Sequence, residues 1–119
     1  MTGSVVLIFA TDPLAAALLG AGVELAKGTP AFPREQEKPR DALLRVKPRL
    51  VMIDCDHADA CTEALFGPAM MIGARISVFS STRSRRTLEP IAREFNVATF
   101  GLPVDFDELA RLLRECGVT

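Results

Sequence analysis

The chain has 119 residues, 49% of them hydrophobic and 24% charged, with 14 Lys and Arg set against 15 Asp and Glu for a formal net charge of −1. This composition excludes disordered and collagen-like classes and fits one two-layered domain over residues 1–119; no global field favours nucleic acid or an anionic membrane. Cys55, Cys61 and Cys116 form no CxxC pair and are odd in number, which argues against a disulfide framework and a thiol redox centre and for a reducing cytoplasm.

Val5 to Ala10 is a short apolar run rich in β-branched residues and predicts a strand. Asp12 and Pro13 follow as an N-cap and a first-turn proline, so a helix starts at Pro13 and is expected to end near Gly20 and Gly22. Thr11, Asp12 and Pro13 also separate the apolar runs 5–10 and 14–19, and no basic residue precedes the first, which argues against a spanning helix and a signal peptide. Val23 to Leu25 reads as a second strand before the Gly28-Thr29-Pro30 breaker. The polar stretch from Arg34 to Arg40 leads into a helix through Val46. Arg49 to Asp54 (RLVMID) predicts a strand buried on both faces. Ala60 to Met71 has helical composition interrupted by Gly67-Pro68 and predicts a short or bent helix. Arg75 to Ser81 reads as a strand and Arg85 to Phe95 as a helix with Leu88, Ile91, Ala92 and Phe95 on one face. Val97 to Phe100 predicts the last strand. Asp105 and Glu108 stand in capping-box spacing at the head of the last helix, whose Phe106, Leu109, Leu112 and Leu113 are expected to face inward.

Strands alternating with helices over this length imply an α/β fold, a parallel sheet wound with helices on both faces. Ligand chemistry then belongs at the carboxyl ends of the strands: Thr11-Asp12, Asp54-Cys55-Asp56-His57, Ser80-Ser81 and Gly101-Leu102-Pro103.

The segments VVLIFATDP, KPRLVMIDCD, RISVFSS and TFGLPVDFDELARLL, in that order, resemble the CheY-like receiver domains of two-component response regulators over nearly the whole chain. The resemblance implies a flavodoxin-like (βα)5 doubly wound parallel sheet with strand order 2-1-3-4-5. It places Asp54 on the phosphoacceptor, Ser80 on the hydroxyl that contacts the phosphoryl group, with Ser81 beside it, and Pro103 on the proline of the family's Lys-Pro. The chain departs from the pattern where the chemistry should be. The acidic pair falls on Ala10 and Thr11, and the lysine on Leu102. Phosphoryl transfer to a carboxylate relies on Mg²⁺ and a cation to cancel charge on the oxygens, and a hard cation needs oxygen ligands. The residual candidates for Mg²⁺ are Asp12, Asp54 and Asp56.

Other chemistries fit less of the chain. Asp54, Asp56, His57, Asp59 and Cys61 crowd one segment, but no second Cys or His cluster supplies the separated ligands of a zinc site. Ala58 and Asp59 stand where a calcium loop needs an oxygen ligand and a glycine. An apolar strand ending Asp-x-Asp also resembles the nucleophile motif of haloacid dehalogenase-type phosphatases, which implies, as the alternative, a small Mg²⁺-dependent phosphohydrolase using Asp54 and Asp56. No glycine-rich phosphate loop follows any strand. Arg83, Arg85 and Arg86 form a basic patch at the head of the fourth helix. In receivers the fourth helix, fifth strand and fifth helix are the usual output face, so by resemblance this patch meets a protein partner or a second copy of the chain. The expectation is a divergent, cytoplasmic receiver domain in phosphorelay signalling. It is not an enzyme and contacts neither nucleic acid nor membrane. Its partner is a histidine kinase or a downstream effector, and Asp54 phosphorylation is impaired or absent.

Overall fold

A computed structural model describes residues 4–56, 63–80, 82, 85–102 and 105–118. Its elements run β1 (Val5–Phe9), α1 (Pro13–Leu25), β2 (Thr29–Ala31), α2 (Pro39–Val46), β3 (Leu50–Asp54), α3 (Glu63–Met71), β4 (Arg75–Phe79), α4 (Arg85–Phe95), β5 (Ala98–Thr99) and α5 (Phe106–Glu115). The five strands form one sheet in the order β2-β1-β3-β4-β5, and every pairing is parallel. This is the flavodoxin-like α/β arrangement expected.

Side-chain alternation along the strands splits the core in two. Leu7, Phe9, Val51, Ile53, Ile76 and Val78 meet Leu43 of α2, Leu65 and Phe66 of α3, and Leu88 of α4. Val6, Ile8, Leu50, Met52 and Phe79 meet Leu19 and Val23 of α1 and Leu109 and Leu113 of α5 on the opposite face. Every residue of β3 is buried, as a central strand covered on both sides requires. Phe66 packs edge-on against Phe95, with ring centroids 4.8 Å apart, and ties α3 to α4.

Two boundaries depart from the sequence reading. Gly20 and Gly22 do not end α1, which continues to Leu25. Gly22 is instead a contact glycine: a Cβ there would lie 2.3 Å from Leu109 Cδ2, so the bare backbone is what lets α5 approach α1. Residues 23–25 are therefore helical, and the second strand falls on Thr29–Ala31. There Pro30 is tolerated because β2 is an edge strand. Phe106 is 42% exposed rather than turned inward. Pro68 sits inside α3, which remains a short helix of 9 residues. The cysteine count argued against disulfides, but Cys55 is disulfide-bonded, while Cys116 is a free, buried thiol. Burial pushes the Cys116 thiol up from its ordinary range.

Candidate functional site

The parallel pairing of β1, β3 and β4 brings the ends of these three strands together, with Phe9 beside Ile53 and Asp54 beside Phe79. Asp54 is the last residue of β3 and is fully buried. Its carboxylate is met by protein donors. Thr11 Oγ1 donates to Asp54 Oδ2 at 2.7 Å, and the Thr11 amide donates to the same oxygen at 3.2 Å. The Asp56 amide donates to Asp54 Oδ1 at 2.9 Å, which closes a tight turn over Cys55.

A second carboxylate holds the neighbouring strand end. Ser80, 5% exposed and just beyond β4, donates through Oγ to Asp56 Oδ2 at 2.8 Å. Thr82 reaches the same carboxylate twice, by Oγ1 to Oδ1 at 2.9 Å and by its amide to Oδ2 at 3.1 Å. The Thr82 amide also lies 3.2 Å from Ser80 Oγ. Asp56 thus joins the segment after β3 to the segment after β4 by side-chain hydrogen bonds. Thr82 escaped the sequence reading, although the hydroxyl run Ser80-Ser81-Thr82 was its signal. Ser81, His57, Asp59, Cys61, Arg83 and Pro103 lie outside the described residues.

Two of the three positions where the resemblance implies charge are apolar and packed, and the third is the neutral hydroxyl of Thr11. Ala10 and Leu102 both rest, partly buried, on the α1–α5 side of the core. Asp12 Oδ1 accepts from the Leu14 amide at 3.1 Å and so caps α1. Among the described residues no group of three or more His, Cys, Asp or Glu side chains is gathered to hold a metal ion. In the set Asp12, Asp54 and Asp56, Asp12 Oδ1, both oxygens of Asp54 and both oxygens of Asp56 accept from protein donors, so Mg²⁺ would have to share or displace these bonds.

The arginine patch is also reorganised. Arg85 turns onto its own molecule: Nη2 donates to the Thr99 carbonyl at 2.9 Å, and Nη1 lies 2.8 Å from Glu108 Oε1. It bolts the first turn of α4 to β5 and α5 and covers a carbonyl on the sheet edge. Arg86 is exposed. A groove of about 500 Å³ runs along this face, lined by Arg85, Thr99, Asp105, Glu108, Arg111 and Glu115 among others. Its lining carries both signs of charge.

No protein-family model matches the chain, and no curated protein matches it in sequence. Solved structures do match in fold. A response regulator from Thermotoga maritima superposes with a TM-score of 0.76 at 15% identity, covering 96% of this chain and 97% of that one. An orphan response regulator of H. pylori gives 0.75 at 13% identity, with 97% of each chain covered. The signal receiver domain of a diguanylate cyclase from Desulfovibrio desulfuricans gives 0.71 at 22% identity, covering 95% and 92%. The chain has the fold of response-regulator receiver domains.

Proposed function

We propose that this chain is a divergent receiver module of two-component phosphorelay signalling that works as a protein-interaction domain in one standing conformation, with Asp54 phosphorylation impaired or absent. One observation carries the reading: Asp54 is fully buried with both oxygens hydrogen-bonded to Thr11 and Asp56, while Ser80 is held by the Asp56 carboxylate. The acceptor and the hydroxyl that would contact a phosphoryl group are both engaged by the protein's own groups. A switch needs a ligand that interacts differently with two states, and the apolar Ala10 and Leu102 remove most of that difference. A histidine kinase or a downstream effector in the cytoplasm is the partner, meeting the face of α4, β5 and α5. The same engagement of Asp54 and Asp56 weighs against the phosphohydrolase alternative, which needs an accessible nucleophile and a free acid-base partner. No described helix is long and apolar enough to cross a membrane.

The test is an amide NMR titration of the ¹⁵N-labelled protein with Mg²⁺ and then beryllofluoride, a mimic of aspartyl phosphate, with Asp54→Ala as control. No Asp54-dependent shifts at millimolar ligand are expected. Shifts that spread from Asp54 and Ser80 into α4, and vanish in Asp54→Ala, overturn the proposal.

A further inference from the structure

Apart from the exposed Glu24, helix α1 is apolar all round. Its inner face, with Ala15, Leu19, Gly20, Gly22 and Val23, is buried. A helix that borders solvent ordinarily carries several charges on its outer face, and this one carries a single charge, Glu24. Leu14 is 65% exposed and Leu25 76%. Ala17 and Ala21 are exposed, Leu18 is half-buried, and Glu24 is the one charged residue between Pro13 and Leu25. Leu14, Leu18, Ala21 and Leu25 follow one another at spacings of four, three and four residues, the repeat that keeps a seam turned toward a second helix.

The seam is also a palindrome. About the midpoint between Leu19 and Gly20, Leu14 exchanges with Leu25, Leu18 with Ala21, and the flanking Asp12 with Lys27. An isologous contact brings the same patch of both copies together across a two-fold axis. With the axis at that midpoint the two helices lie antiparallel. Leu14 of each copy then meets Leu25 of the other, and Leu18 meets the smaller Ala21. Asp12 of each copy comes to the end where the other carries Lys27, and antiparallel macrodipoles agree with that charge pattern. A shallow depression of about 320 Å³ lined by Leu25, Ala26, Lys27, Ala110 and Arg114 lies at this end. It offers apolar walls to an incoming Leu14 and two cations to the neighbouring Asp12.

We propose that α1 is a homodimerisation face whose occupant is a second, antiparallel copy of this chain. The seam belongs to one short helix and falls below the ~800 Å² per partner of a standard stable interface, so the dimer dissociates in the micromolar to millimolar range. The proposal does not depend on the phosphorelay reading.

Sedimentation equilibrium of the full chain across that range tests it, with circular dichroism of each variant to confirm folding. The wild-type mass rises toward that of a dimer with concentration. Leu14→Lys combined with Leu25→Lys stays monomeric, because like charges meet at both ends. Leu14→Glu combined with Leu25→Lys sets opposite charges across the axis and recovers association to at least about tenfold tighter than the double lysine variant. A wild-type chain that is monomeric throughout, or folded variants that associate equally, overturns the proposal. So does loss of association in both double variants, which points to parallel pairing.

Discussion

Asp54 carries its carboxylate out of water, and Thr11 Oγ1 donates to it at 2.7 Å. Bonds to a charged acceptor count for more than neutral ones, and leaving such an acceptor short of a donor costs its desolvation. Thr11→Val keeps the shape and removes the hydroxyl. The expected loss is about 1–3 kcal/mol of folding stability, read in urea as a lower midpoint at unchanged slope. An unchanged midpoint would mean that the Thr11 amide alone suffices. The candidate site was legible in the sequence only one residue at a time. Asp54 and Ser80 stood out as polar residues closing apolar strands. The Thr11–Asp54 contact bridges a sequence separation of 43 residues, and the Asp56–Ser80 contact one of 24. No local spacing shows which hydroxyl will meet which carboxylate until the strand register is known.

Packing between elements explains where the boundaries were misread. Glycine weakens a helix by about 1 kcal/mol relative to alanine, so Gly20 and Gly22 looked like a helix end. The competing effect is close approach: α1 and α5 touch across Gly22, and tertiary contact outweighs the local preference. Gly22→Val drives a branched side chain into Leu109 and Phe106, whose nearest atoms would lie 2.3 and 3.2 Å from its Cβ. The expected cost is about 1–3 kcal/mol, visible as a lower thermal midpoint, and a rise instead would mean that α5 yields freely. Between β2 and α2 the connection is tied by charge. Arg45 donates to both Glu37 oxygens at 2.8 Å and reaches the Phe32 carbonyl, while the Arg34 amide donates to Glu37 Oε1. The Arg45 guanidinium, helped by the Arg34 amide, holds the Glu37 carboxyl well down from 4.5 to about 2. A carboxyl whose pKa is lower folded than unfolded contributes stability above the unfolded value and loses it as pH falls through the folded one. The tie is therefore present above about pH 4.5 and lost toward pH 2. Glu37→Gln is expected to flatten that part of the acid limb in pH-dependent denaturation and leave the rest of the curve in place. An unaltered limb would assign the acid sensitivity to other carboxylates.

At the scale of the molecule, alternating strands and helices leave few topologies once crossovers are right-handed, and the resemblance to receiver domains singled out the order β2-β1-β3-β4-β5 among them. The same topology gathers the ends of β1, β3 and β4 around Asp54, where the chain has placed Ala10 and Leu102 into the core and Asp56 across the gap. These carboxylates are already engaged by the protein's own donors, so an added ion would have to displace or share those bonds. Thermal unfolding makes this measurable. A ligand that binds only the folded state stabilises it by about 1.4 kcal/mol when present at roughly tenfold over its dissociation constant. For a domain of this size that amounts to a rise of roughly 5 °C in the midpoint. A working Mg²⁺ site of millimolar affinity would show such a rise at a tenfold excess of the ion, and Asp54→Ala would abolish it. The expected outcome is no Asp54-dependent rise in calorimetry with and without Mg²⁺. A rise lost in Asp54→Ala would mean that the hydrogen bonds from Thr11 and Asp56 yield to the ion, and that the buried carboxylate is a switch held closed rather than a fixed part of the fold.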